Sequence, residues 1–159
     1  MNLRLAQKEN TLFERILVPL DGSARAEAIL PQVESLALEF GSRLILLHVN
    51  EPGSNLMAPH GSHPEVSMEL SRQKKDELEG YLAGKKGEFR EKGVQVETLL
   101  AQGPVVETII HTAAEYDVDL VAMASHGRTG LQRVFYGSVA AGVLQSVDRP
   151  LLLVRSRRL

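Results

Sequence analysis

Two short stretches of this chain hold residue types suited to an anion and to a sugar diol. The longer spans 124–138 and contains Ala124, Ser125, His126, Gly127 and Arg128, then Gly137 and Ser138. It follows an apolar run, Leu120 to Met123, and precedes a small-residue helix candidate over 139–146. A strand, a glycine-rich loop and a helix start in that order can bind phosphate. Glycine lets backbone N–H groups approach an anion without a Cβ in the way, successive N–H groups can form a nest, and the helix start adds unpaired donors at the positive end of its dipole. An ordinary strand-to-helix turn uses glycine too, and local chemistry leaves both readings open. The shorter stretch is Asp21-Gly22-Ser23, directly after the apolar run 15–20. A carboxylate there can accept a hydroxyl hydrogen bond or close a turn, and Ser23 is a candidate helix cap.

Other chemistries find less support. Ser125 and His126 are adjacent in sequence, which does not supply a nucleophile–base geometry, and no G-x-S-x-G elbow is present. His60, His63 and Glu65 offer two imidazoles in a segment without helical register, a poor metal site. The chain has no cysteine, which excludes disulfides, thiolate catalysis and thiolate metal sites. It has neither a Walker A pattern nor a dinucleotide fingerprint after the first apolar run, and Asp21-Gly22-Ser23 is too short for the glycine- and serine-rich loop of ATP pyrophosphatases. A net charge of −2 speaks against nucleic acid as a partner, and Arg155, Arg157 and Arg158 read as a solvated tail. No run approaches membrane-spanning length, and residues 1–14 lack the apolar core of a signal peptide, so a cytoplasmic protein is expected.

The elements that must position these residues follow from periodicity. Apolar runs over 15–20, 43–49, 94–100, 119–124 and 150–155 read as strands, mostly buried on both faces. Between them lie helix patterns over 24–40, with Ile29, Val33, Leu36, Ala37 and Phe40 on one stripe and Pro31 expected to bend it. A long charged helix over 65–92 has Leu70, Leu78, Tyr81, Leu82 and Phe89 on its apolar side, and Gly84 and Gly87 weaken its second half. A third helix opens at Gly103-Pro104 and turns Val106, Ile109, Ile110 and Ala113 inward. Residues 50–64 read as a loop and 131–136 as a short helical turn.

Strand–helix alternation closing on a strand predicts a doubly wound α/β domain over 15–159, preceded by an N-terminal arm, 1–14. The expected sheet is five-stranded and parallel, in the order 3-2-1-4-5, with helices on both faces. Ligands of such sheets sit at the carboxyl ends of the strands where the order reverses, here between the first and fourth. That point brings Asp21 opposite the glycine-rich loop and favours the phosphate reading.

These residues resemble the universal stress protein family over nearly the whole stretch 15–155. The resemblance rests on the opening Ile16 to Ser23, on the loop pattern Gly, two residues, Gly, nine residues, Gly-Ser/Thr, and on the closing Arg149 to Arg155. Gly127 and Gly137-Ser138 fill the second and third loop positions, and Ala124 replaces the first glycine. The nucleotide-binding branch of that family implies ATP, with or without Mg²⁺, in the crevice. Asp21 would accept from a ribose hydroxyl, Pro19 would line the adenine slot and Val49 would offer backbone groups to the adenine edge. Met123 and Ala124 would border base and ribose, while Gly127, Arg128, Gly137, Ser138 and Val139 would surround the phosphates. The resemblance thus implies an ATP-binding regulatory protein of the stress response with at most slow hydrolysis, not a dedicated enzyme. The alternative is a protein-interaction module that has lost nucleotide binding. Either reading expects a homodimer, because an apolar last strand at the sheet's edge calls for a cover.

Overall fold

A computed structural model describes residues 12–51, 64–126 and 137–156. The elements are β1 (Arg15–Pro19), a 3-10 turn (Ala26–Ile29), α1 (Leu30–Phe40), β2 (Arg43–Asn50), α2 (Pro64–Glu91), β3 (Gln95–Gln102), α3 (Val105–Glu115), β4 (Leu120–His126), α4 (Ser138–Ser146) and β5 (Leu151–Ser156). All strand pairs are parallel and the order is β3-β2-β1-β4-β5. The expected doubly wound sheet is therefore the fold of this chain. Among the described residues no helix is long and apolar enough to cross a membrane.

Alternation along the strands sorts the core into two layers. Ile16, Val18, Leu44 and Leu46 face α1 and α2, meeting Ile29, Val33, Leu82 and Phe89. Leu17, Ile45, Leu47 and Met123 face α3 and α4, meeting Ile109, Ala113, Ala140 and Val143. Each fully buried aliphatic side chain contributes about 1.5–3 kcal/mol relative to exposure, and β1 places Ile16, Leu17 and Val18 entirely out of solvent. Reversal of the winding direction across the sheet after β3 moves the helices to the opposite face, as right-handed crossovers require.

The helix expected over 24–40 starts later. Residues 26–29 form the 3-10 turn, and α1 begins at Leu30 with Pro31 in its first turn. Proline's missing N–H costs nothing there, so it starts the helix where a bend had been expected. Gly84 and Gly87 lie within α2 without interrupting it, while Leu70 on its expected apolar side is exposed. β4 runs on through Ser125 and His126, which pair with Arg155 and Ser156. The expected turn over 131–136 and most of the loop over 50–64 lie outside the described residues.

β1 pairs with β2 from Arg15–Arg43 to Pro19–Leu47, but with β4 only at Ile16–Leu120 and Leu17–Val121. The amino ends of β1 and β4 are pinned by Asp119. Its Oδ2 accepts from the backbone N–H groups of Glu14 and Arg15, each at 2.8 Å, and its own N–H donates to the Arg15 carbonyl at 2.9 Å. The Arg15 guanidinium adds bonds to the carbonyls of Tyr116 and Asp117 at 3.0 and 3.2 Å. Asp119→Ala strands two strand-start donors and should cost about 1–2 kcal/mol, whereas Asp119→Asn, which keeps an acceptor oxygen, should cost less. Urea denaturation midpoints check this, and an unchanged midpoint in the alanine variant would contradict the pinning role.

Candidate functional site

Beyond Leu17–Val121 the ladder between β1 and β4 stops, and the carboxyl ends of these strands border a cavity of about 350 Å³ on the α3–α4 side of the sheet. That volume falls within the roughly 300–1,000 Å³ range of small-molecule sites. Pro19, Leu20 and Asp21 enter it from the end of β1, Leu47 and Val49 from β2, Met123 and Ala124 from β4, and Gly137, Ser138, Val139 and Ala140 from the start of α4. Eight of the residues singled out in the sequence thus meet in one cavity: Pro19, Asp21, Val49, Met123, Ala124, Gly137, Ser138 and Val139. Gly127 and Arg128 lie outside the described residues.

The Asp21 carboxylate closes a turn. Its Oδ1 accepts from the Ser23 N–H at 2.9 Å and the Ser23 hydroxyl at 2.6 Å. The Ser23 Oγ in turn accepts from the Ala26 N–H at 3.1 Å, so the expected cap serves the 3-10 turn. Asp21 Oδ2 has no hydrogen bond to a described residue and belongs to an exposed side chain. The turn therefore fixes the carboxylate through one oxygen and leaves the other available. Val49 lies past the last β1–β2 pair, Pro19–Leu47.

Across the crevice, Gly137 immediately precedes α4 with φ 70° and ψ 154°, a backbone region open essentially to glycine alone. Ser138 is the first helical residue and not the cap, and α4 has no side-chain cap. The Ala141 N–H donates to the Gly137 carbonyl at 3.0 Å. The N–H groups of Ser138, Val139 and Ala140 precede that bond and have no intrahelical partner, as helix geometry dictates. Three cavity-lining residues thus present backbone donors at the positive end of a helix. Ala124 is a paired strand residue opposite Val154, and among the described residues Asp117 alone has positive φ without being glycine. Alanine in place of glycine therefore carries no backbone strain at position 124. Ser125 is buried within β4, which removes it as an exposed nucleophile.

Several wall residues escaped the sequence reading: Leu20, Arg25, Ala26, Leu47, Val105, Ile109 and Ala140. Leu47 was within reach, since it shares a strand face with Val49 two residues on. Val105 and Ile109 come from α3, whose approach depends on packing between distant segments. His48, between two cavity-lining residues of β2, points to the opposite face by strand alternation. It is buried, and its Nδ1 has no hydrogen-bond partner among the described residues. Burial lowers its pKa from the usual 6.5; a hydrogen bond with the Leu20 backbone and the charge of Asp21 oppose that shift, and Lys74 reinforces it.

The sequence profile of the Universal stress protein family matches residues 12–155. The chain belongs to the universal stress protein family. Universal stress protein YxiE of Bacillus subtilis is 32% identical to it, over 91% of this chain and 100% of that protein. Universal stress protein MJ0577 of Methanocaldococcus jannaschii is 28% identical over 93% of this chain and 98% of its own length. The solved structure of MJ0577 superposes with a TM-score of 0.78, covering 93% of this chain and 99% of that one. A universal stress protein from Archaeoglobus fulgidus, solved in complex with dAMP, has the same fold at 20% identity and a TM-score of 0.63, covering 89% of this chain and 98% of that one.

The buried His48 predicts a pH dependence. The unfolded chain takes up a proton near the usual 6.5, and folded His48 only at lower pH. Between those values the unfolded state binds more protons, so stability is full above that window and falls as pH drops through it. Denaturant titrations of the wild type and His48→Leu should show a steeper loss just below pH 6.5 in the wild type. Identical slopes would contradict the assignment.

Proposed function

We propose that this universal stress protein is a regulatory protein that binds an adenine nucleotide, ATP with or without Mg²⁺, in the crevice between β1 and β4. The observation that carries the reading is the pairing of an Asp21 carboxylate oxygen with three N–H groups at the start of α4, none of them hydrogen-bonded among the described residues, around one largely apolar cavity. A carboxylate suits a ribose diol and repels phosphate, while helix-start donors suit phosphate oxygens, so the two ends fix a nucleotide's direction. Pro19, Val49 and Met123 supply an apolar bed for the base, and Ala124 borders base and ribose. Gly127 and Arg128 complete the phosphate site in this proposal. The dAMP complex of the Archaeoglobus relative supports an adenine nucleotide as the ligand class.

Occupancy, not turnover, is the signal in this reading. Among the described residues the cavity wall holds no histidine, and Asp21 has one oxygen committed to Ser23. Hydrolysis is slow at most in this reading, and membership of the family supports a role in the stress response, in the cytoplasm. A protein-interaction module without nucleotide chemistry remains the competing function. It is favoured if the folded protein neither carries nor binds adenine nucleotides.

We propose further that the protein is a homodimer through β5. That strand is an edge of the sheet, and Leu151, Leu152, Leu153 and Val154 are each only half-buried. Pairing with a second copy about a two-fold axis would cover the edge. Sedimentation velocity at micromolar concentration should give a dimer, and a monomer would contradict it.

Purified protein should release an adenine nucleotide on denaturation, or bind Mg-ATP stoichiometrically in calorimetry. Asp21→Ala should weaken that binding about tenfold, as expected for loss of a charge-assisted hydrogen bond. Undiminished affinity in the variant would remove Asp21 from the site.

A further inference from the structure

Of the described residues around the cavity, two are charged: Asp21 and Arg25. Arg25 lies immediately before the 3-10 turn, on the β1 side of the crevice, and is exposed. Its backbone position is fixed. The Ala26 N–H donates to Ser23 Oγ at 3.1 Å, the Glu27 N–H to the Ser23 carbonyl at 3.1 Å and the Ala28 N–H to the Arg25 carbonyl at 3.3 Å.

The carboxylates nearest in sequence already have partners. Glu27 Oε1 accepts from the Tyr81 hydroxyl at 2.9 Å, and Glu27 Oε2 lies 2.9 Å from the Lys85 Nζ. Asp21 Oδ1 is held by Ser23. Among the described residues the Arg25 guanidinium has no hydrogen bond and no ion pair. A turn held by hydrogen bonds thus places Arg25, without an ion pair among the described residues, among the residues that line a largely apolar cavity, while neighbouring Glu27 is tied to α2.

We infer that Arg25 is a specificity-determining residue that reads the charge of the bound ligand and makes the site prefer a nucleotide polyphosphate over the uncharged nucleoside. The inference rests on the nucleotide reading of the cavity and adds the residue that selects the phosphorylated form. The start of α4 supplies N–H groups with partial charge, whereas a guanidinium supplies a full charge and a planar donor fork matched to phosphate oxygens. Because Arg25 is open to solvent, its contribution is screened and moderate.

The test is calorimetric titration of wild type, Arg25→Gln and Arg25→Lys with adenosine and with Mg-ATP. Arg25→Gln should weaken ATP about tenfold, the effect of one charge-assisted contact, and leave adenosine unchanged, which also reports an intact fold. Arg25→Lys should retain part of the ATP preference. An unchanged ratio of ATP to adenosine affinity in Arg25→Gln, including equal weakening of both, would overturn the inference while leaving the nucleotide site standing. A wild type that binds neither ligand would overturn the nucleotide reading and this inference with it.

Discussion

β1 and β4 are joined at one end only. Asp119 and the Arg15 guanidinium tie their amino ends, and the paired register stops after Leu17–Val121. Every parallel sheet that reverses its winding order has such a junction, because the helices on either side of it pack on opposite faces. Here the unpaired carboxyl ends border the cavity, and the contents of that cavity follow from the chain segments leaving the two strands. One leaves β1 as a carboxylate-closed turn, and the other re-enters the described structure at Gly137 as a helix start.

The two sides are chemically unlike. The β1 side contributes full charges, Asp21 and Arg25, on a turn whose backbone is held by Ser23. The β4 side contributes neutral backbone donors, released by the φ and ψ of Gly137 and the absence of a side-chain cap. Behind the first side, Glu27 couples the turn to α2 through Tyr81 and Lys85, and desolvation together with Glu27 raises the Tyr81 hydroxyl's pKa. The turn is therefore anchored to α2 through Glu27.

Much of this was legible in the sequence because the strands are apolar runs punctuated by glycine, and the winding order then dictates which strand ends meet. Asp21 and Gly137-Ser138 could be placed opposite each other on those grounds alone. The start of α1 was misplaced because Pro31 fits a first turn as well as a bend, and the 3-10 turn before it has no periodic signature of its own. β4 appeared too short because Ser125 and His126 are polar, although their backbones still pair with β5. Arg25 fell unremarked within the helix expected over 24–40, since nothing local reveals that Glu27 is claimed by Tyr81 and Lys85, more than fifty residues away. Val105 and Ile109 depend likewise on how α3 packs across the sheet.

In the proposed complex a single nucleotide spans the crevice from the β1 turn to the start of α4. A crystal structure of the protein grown with Mg-ATP tests it most directly. The expected complex has a ribose hydroxyl within hydrogen-bonding distance of Asp21 and phosphate oxygens at the N–H groups of Ser138, Val139 and Ala140. Nucleotide bound elsewhere, or bound here with its phosphates turned toward Asp21, would contradict it.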